Sequence, residues 1–326
     1  MKELYVCETY YHLLVSIVKN IQNNNKNDLF IFCTSDNKIS NNSKLIEKIK
    51  NSKIFNRVTV EDHTNELKKS NKELVYQIDR IKFINKNKTR IKKILDQYDN
   101  IYMFNDITTF GKIVNAINKK YILLEDGIDC YINNKSYIKG VPFYKKIIKK
   151  ILYGSYYLGS SKNVLYIEVN NLNGVFIKNQ KLVQKPKKDM FNSLSKNEKK
   201  IIANLFIHKK IDNIENSSLL ITQPLWEDKL VSSKEKQISI YKTIVEKYIC
   251  EDKIVVKTHP RENIDYSSLS NNIYIFEDEF PLEILNFFEI PFNRVITISS
   301  TAIEMIDNCK EKIILGWDWL YEQKGK

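Results

Sequence analysis

Short apolar runs alternate along the chain with longer stretches whose apolar residues recur at helical spacing. Leu4–Cys7 is one such run and predicts a strand, and Tyr11–Ile21 behind it has the spacing of a helix. Asp28–Cys33 predicts a second strand and Arg57–Val60 a weaker third, with helical spacing over Glu73–Leu95. Ile101–Phe104 and Tyr121–Leu124 are apolar runs closed by polar residues, the pattern of buried strands. A second block opens near Ser217. There Leu219–Thr222 is a strand closed by Gln223–Pro224, Lys234–Tyr248 a helix, and Ile254–Val256 a strand running into Lys257, Thr258, His259 and Pro260. Ile273–Phe276 predicts another strand, and Pro281–Phe288 a helix with proline at its first position, a favoured place for it. Arg294–Ile298 predicts a strand, Ala302–Asn308 the helix after it, and Lys312–Leu315 closes the block.

Strands and helices alternating at this spacing predict parallel sheets covered on both faces. Between the blocks, Lys181–Lys200 is polar and lysine-rich, so a domain boundary is placed there or slightly later: residues 1–200 form one domain and 201–326 the other. The expected architecture is α/β of the GT-B type, two Rossmann-like doubly wound domains facing a central cleft. No repeat at solenoid spacing competes with it. In such sheets ligands bind beyond the carboxyl ends of the strands.

Composition adds limits more than direction. The 326 residues are 43% hydrophobic and 28% charged, which suits a soluble globular chain of two domains. The net charge of +13 admits nucleic acid, anionic lipid or an anionic substrate as partner. Lysine, asparagine and isoleucine are abundant throughout while glycine and proline are scarce, a bias that an AT-rich genome produces, so the charge permits an acidic partner without pointing to one. The cysteines (Cys7, Cys33, Cys130, Cys250, Cys309) are scattered and form no C-x-x-C pair, which argues against both a zinc site and a disulfide framework. No apolar run approaches the ~20 residues of a membrane span. The start, Met1-Lys2-Glu3 and a short strand, lacks a signal peptide's core and cleavage site, so a cytoplasmic location is expected.

Three strand ends carry unusual polar clusters. Arg294–Ile298 leads into Ser299, Ser300 and Thr301 at a predicted helix start, where free backbone N–H groups and a partial positive charge bind phosphate. Taken alone, that cluster is better explained as a helix cap, and the two roles can coexist. His259 stands between Lys257 and Pro260, and an imidazolium there suits a leaving phosphate by hydrogen bonding or proton donation. A lone histidine is more often structural. Of the other three, His12 follows the first strand closely and can face the same side. Asp126 is the best candidate for a general base, with Gly127 letting the chain turn and a ligand approach. Glu125 either shares that role or raises the pKa of Asp126 by repulsion. By itself, Glu-Asp-Gly is also what an acidic turn looks like. Asp-x-Asp, the P-loop and G-x-G-x-x-G are all absent, so no metal site or cofactor is expected, and with 8 glycines phosphate recognition falls to side chains and a helix end.

Glu125-Asp126-Gly127, then Lys257-Thr258-His259-Pro260, then Ser299-Ser300 resembles, in order and spacing, the motifs of bacterial sialyltransferases of glycosyltransferase family 52, with the bacterial polysialyltransferases as relatives. The opening Tyr5–Leu14 and the run Phe280–Leu285 also look like that family, whereas roughly Gly127–Leu219 matches it poorly. The resemblance implies an inverting, metal-independent transfer of sialic acid from CMP-sialic acid to a terminal sugar, galactose first, of a lipooligosaccharide or capsule. It implies Asp126 as base on the acceptor side and His259 as acid or phosphate partner. Ser299 and Ser300 would hold the phosphate and Glu283 the ribose hydroxyls, while Lys257 and the Gln223–Pro224 turn would line the nucleotide pocket. An oxocarbenium-like transition state suits these groups, since donors fixed on the departing phosphate act most strongly where charge builds.

The alternatives within the class are a polysialyltransferase or a GT-B enzyme with another sugar nucleotide. From another class, a basic nucleic-acid-binding protein accounts for the charge but not for polar clusters at three strand ends, and nucleic acid is not the expected partner. The acceptor is an oligosaccharide that can be lipid-linked, and Phe143–Leu152, apolar on one helical face and lysine-rich on the other, suits peripheral contact with the inner membrane. A helix packed on the protein with a solvated lysine face explains that segment equally well. A homodimer is among the states the resemblance allows.

Overall fold

The computed structural model describes residues 1–23, 27–34, 39–67, 73–131, 158–175, 182–208, 214–249, 253–288 and 290–324. The segment Phe143–Leu152, and with it the membrane-contact expectation, lies outside the described residues. The chain divides into two compact units, Met1–Leu194 and Ser195–Lys326, where the sequence places the break after residue 200.

The first unit is built on a parallel sheet. Its strands are β1 (Glu3–Cys7), β2 (Asp28–Cys33), β3 (Arg57–Asp62), β4 (Asn100–Met103), β5 (Tyr121–Leu124), β6 (Val164–Val169) and β7 (Leu182–Gln184), in the order β3-β2-β1-β4-β5-β6-β7. Helices α1 (Tyr10–Gln22), α2 (Ser43–Ser52), α3 (Glu73–Leu95), α4 (Thr109–Ala116) and α5 (Lys187–Asn192) connect or flank them. β1, β2, β4 and β5 are almost wholly apolar because both sheet faces are covered. Phe30 and Phe32 of β2 pack with Phe110 of α4, ring centroids 4.9 to 5.7 Å apart. The strand order reverses between β1 and β4, the switch point where such sheets open a crevice at their carboxyl ends.

Local chemistry fixes what enters that crevice. Thr9 caps α1 by accepting the His12 N–H at 3.2 Å, so α1 starts directly behind β1 and carries His12 on its first turn. Thr108 likewise caps α4 through the Gly111 N–H at 3.3 Å. Gly111 has to be glycine: a Cβ there would lie 2.5 Å from the Asp106 backbone. That close approach turns the chain sharply after β4 and keeps Asn105 and Thr108 at the sheet edge.

The second unit holds α6 (Lys196–Phe206), β8 (Ser218–Ile221), α7 (Lys234–Tyr248), β9 (Ile254–Lys257), β10 (Ile273–Ile275), β11 (Phe292–Thr297), β12 (Cys309–Ile314) and α8 (Gly316–Lys324). The sheet is parallel, in the order β10-β9-β8-β11-β12, and reverses between β8 and β11. Two expected helices are corrected here. Pro281 precedes, rather than begins, a 3₁₀ helix over Leu282–Phe288. Ala302–Asn308 is replaced by the single 3₁₀ stretch Thr301–Met305, because Asn286 takes up its end: the Asn286 side chain donates to the Met305 carbonyl and accepts the Asp307 N–H at 3.0 Å. The last strand begins at Cys309, earlier than Lys312. Among the described residues no helix is long and apolar enough to cross a membrane.

Candidate active site

In the first unit, three neighbouring strand ends and one helix supply a polar cluster. Asp126 follows β5, Asn105 and Thr108 follow β4, Glu8 follows β1, and His12 comes from α1. The His12 ring stacks face to face on Phe104, centroids 4.1 Å apart at 4°. Its Nδ1 accepts the backbone N–H of Glu8 at 3.2 Å, so the neutral ring carries its proton on Nε2. That nitrogen lies 3.2 Å from Asp126 Oδ1. The contact is close but off the N–H axis, short of hydrogen-bond geometry. The His12 side chain is 3% exposed and that of Asp126 28%, so the pair is sheltered with the carboxylate on the open side. Burial alone would push the Asp126 carboxyl up, yet it is held below the usual carboxylate range by His12, by the Lys187 ammonium and by Asn105. Asp126 is therefore ionised at neutral pH, as a proton acceptor must be.

Glu125, its neighbour, does something else. Its carboxylate is buried and accepts the Tyr131 hydroxyl at 2.7 Å, the Asn170 N–H at 2.6 Å and the Asn170 side-chain amide. These bonds tie the turn after β5 to the loop after β6, and the expected upward push on Asp126 is not what is found. Gly127 adopts φ +60°, and a Cβ there would meet nothing, so it serves the left-handed turn and leaves the face open. Lys187 is buried, and its ammonium has no hydrogen-bond partner among the described residues.

The second unit gathers most of the other sequence candidates at the carboxyl ends of β8, β9 and β11. The Gln223 side chain is clamped to Ser299: its Nε2 donates to Ser299 Oγ at 2.9 Å and its Oε1 accepts the Ser299 N–H at 2.9 Å. The Gln223 N–H donates to the Tyr241 hydroxyl at 2.6 Å, and Pro224 behind it is buried. The two turns flanking the switch point are thereby fixed to each other. Ser300 precedes the 3₁₀ turn beginning at Thr301, and its side chain makes no cap bond. The capping explanation thus fails for Ser300, whose hydroxyl remains available. The turn is too short for the dipole of a full helix, so what it offers an anion is N–H groups and hydroxyls.

His259 is organised by Glu262, a residue that no sequence pattern singles out. Buried Glu262 accepts the His259 N–H at 2.7 Å, the Gln237 amide at 2.6 Å, the Tyr266 hydroxyl at 2.7 Å and the Thr222 hydroxyl. The His259 Nδ1 accepts the Arg261 N–H at 3.1 Å, which leaves the proton on Nε2. Burial, and then the Arg261 and Lys257 charges against the opposing Asp228, push the ring down to about 4. The expected imidazolium is therefore a neutral imidazole presenting Nε2–H. Lys257 is buried, donates to the Thr258 carbonyl at 3.2 Å and sits 4.6 Å over the Phe280 ring. Glu283 is buried and pushed up to about 7 by burial alone, opposed only by its own backbone N–H. Pro260 is exposed.

Asp126 thus stands with His12, Glu8 and Lys187 in one unit, and Gln223, Ser299, His259 and Lys257 cluster in the other. Sequence reasoning passed over Lys187 and Glu262 and gave Glu8 no role. Among the described residues no group of three or more His, Cys, Asp or Glu is placed to hold a metal ion.

Residues 29–315 match the family model described as glycosyltransferase family 52. An uncharacterized protein of Haemophilus influenzae is 36% identical over 186 residues, 56% of this chain and 58% of that protein. The aligned region thus spans little more than half of that relative's length. An alpha/beta-galactoside alpha-2,3-sialyltransferase from Photobacterium phosphoreum superposes with a TM-score of 0.54 at 16% identity, covering 95% of this chain and 89% of that one. A UDP-GlcNAc 2-epimerase of Methanocaldococcus jannaschii gives 0.51 at 13% identity, covering 99% and 91%. At these identities the likeness is one of fold, and the fold is GT-B: α/β with two parallel sheets.

Proposed function

Because the chain belongs to glycosyltransferase family 52, we propose that it moves sialic acid from CMP-sialic acid to a sugar hydroxyl, with inversion and without a metal ion. The observation that carries this reading is the Asp126–His12 pair, a carboxylate kept ionised at a strand end beside a histidine of fixed tautomer. Asp126 takes the proton of the attacking hydroxyl. A strongly basic group is unnecessary, since an oxocarbenium-like centre makes the hydroxyl acidic as the new bond forms. His12 holds the carboxylate in place and supports its charge.

On the donor side, the Ser300 hydroxyl, the Ser299 turn and His259 Nε2–H receive the phosphate. A departing phosphate monoester has a second pKa of about 6, so hydrogen bonds stabilise it without full protonation. The second negative charge appears as the phosphate departs, so the His259 Nε2–H hydrogen bond strengthens as the bond breaks and no proton need leave the neutral ring. Lys257 adds positive charge and Glu283 receives the ribose hydroxyls. Galactose is the first acceptor to try, given the galactoside specificity named for the Photobacterium enzyme of similar fold. The reaction belongs on this reading to the cytoplasm, on an oligosaccharide that can be lipid-linked.

The test is CMP release from CMP-sialic acid with a galactose-terminated acceptor and EDTA present. Acceptor-dependent release by wild type, with large losses in Asp126→Ala and His259→Ala, is the expected result. Failure both to release and to bind CMP would exclude the donor assignment.

A further inference from the structure

Asp126 has a second carboxyl group for company. Glu8 lies just beyond β1, and β4 alone separates β1 from β5. Two strand spacings of ~4.8 Å put the backbones of the two carboxyl residues about 10 Å apart, a gap their side chains and one sugar ring can fill. Glu8 Oε1 accepts the Thr108 hydroxyl at 2.7 Å. Among the described residues Thr108 is the one group that bonds the Glu8 carboxyl, and no ion pair neutralises it. Its second oxygen is not sealed from solvent, and the residue is partly exposed. A carboxyl packed into protein with one hydrogen bond and no counter-ion costs stability.

We propose that Glu8 is a second substrate-contacting carboxyl of this site, hydrogen-bonded to an acceptor-sugar hydroxyl beside the one that Asp126 deprotonates. The inference rests on the reading of Asp126 as the acceptor-side base. The surroundings of Glu8 suit this division of labour. It is faced by His12 from α1, Asp126 beyond β5, Arg80 from α3, Thr108 ahead of α4, and the thiols of Cys7 and Cys33 on β1 and β2. Burial pushes the thiols up to about 12 and about 11, so they carry no charge near neutrality. Burial, with the Asp126 charge adding to it and Thr108, His12 and Arg80 opposing, pushes Glu8 up to about 7. Two neighbouring carboxyls are thus pushed apart, one an acceptor and the other able to donate. Glu8 keeps its proton through the transfer, and the hydroxyl proton goes to Asp126. As pH rises through about 7, Glu8 loses its proton, the donor disappears and a second negative charge joins Asp126. Use of the acceptor therefore weakens on the alkaline side.

The experiment uses the full chain with CMP-sialic acid, lactose as the acceptor probe and EDTA, measuring kcat/KM for lactose from acid to alkaline pH. Wild type should fall with a midpoint near 7. Glu8→Gln, always a donor and never charged, should lose that alkaline fall. Glu8→Ala should raise the KM for lactose about tenfold, the scale of one lost hydrogen bond. Asp126→Asn should lose turnover throughout. A purely structural Glu8 would change the melting temperature and leave the alkaline limb where it is. The inference is overturned if Glu8→Gln keeps the wild-type limb, or if it abolishes turnover as Asp126→Asn does, which would make Glu8 the base. Should Asp126→Asn remain active, the proposed function fails and takes this inference with it. Wild type that binds CMP but is inactive with lactose overturns the galactose acceptor and this inference, and wild type that does not bind CMP overturns the donor as well.

Discussion

Replacing His12 by phenylalanine isolates what the imidazole does for Asp126. The ring stack on Phe104, at 4.1 Å, is kept, while both nitrogens are removed. Two interactions disappear: the Nε2 contact to Asp126 at 3.2 Å and the Nδ1 bond from the Glu8 N–H at 3.2 Å. The first bears on rate. A hydrogen bond to a charged group is worth about 1.5–3 kcal/mol, or roughly 10- to 150-fold. The His12 contact falls short of hydrogen-bond geometry, so its loss costs less than that range, about tenfold at most. Base catalysis as a whole supplies about 10²–10⁴-fold, so His12→Phe must lose less than Asp126→Ala. The second interaction bears on stability, since leaving a part-buried N–H without a partner costs toward the low end of about 1–3 kcal/mol, a shift of about 3 °C in melting temperature for a unit of this size. The variant also moves the acid limb of the kcat/KM profile. Asp126 is held low by His12 against its own burial, so without His12 its carboxyl protonates at higher pH and the limb shifts upward. Rates across pH and thermal melting check these points together. A variant as inactive as Asp126→Ala would make His12 itself the proton acceptor. A variant of reduced rate with an unmoved acid limb would refute the electrostatic part of the argument.

Two further predictions concern the second unit. Ser300→Ala removes a hydroxyl that makes no cap bond, so CMP affinity should drop several-fold with the melting temperature unchanged, measured by calorimetry and by thermal denaturation. Glu283 carries a folded pKa of about 7 against an ordinary value of 4.5, so the unfolded chain binds fewer protons between those values and stability falls as pH rises through the window. Glu283→Gln should therefore melt several degrees above wild type at pH near 8, lose that advantage near pH 5, and bind CMP more weakly. Equal melting temperatures at both pH values would contradict it.

The β1, β2, β4, β5, β8, β9 and β11 strands were legible because both faces of the sheet are covered, which leaves short apolar runs with polar residues only at their ends. The same pattern pointed to Asp126, His259 and Ser299. β6 is different: it carries Glu168 one residue before its end, and that charge breaks the apolar run and is satisfied by Lys19 at 2.5 Å, 149 residues away, and by Lys185 at 2.9 Å. A local pattern carries no trace of such partners. Ala302–Asn308 looked helical from its own residues, and it was Asn286, from the preceding 3₁₀ segment, that cut it short. Glu125 and Asp126 are adjacent in sequence and equally acidic. Only the partners contributed by Tyr131 and Asn170 to the one, and by His12 and Lys187 to the other, separate a carboxylate bonded into the structure from the one proposed as base. His12 and Glu8 belong to the strand-and-helix opening that the family resemblance covers, yet their chemistry appears only when β1, β4 and β5 lie side by side.

The measurement that tests the central claim most directly is the anomeric configuration of the first sialylated product, followed by NMR during turnover of CMP-sialic acid in EDTA. A single displacement with Asp126 as base predicts a product of configuration opposite to the donor, formed without a sialylated protein intermediate and lost in Asp126→Asn. A first product that retains the donor's configuration would require a double displacement or attack from the leaving-group face and would contradict the account.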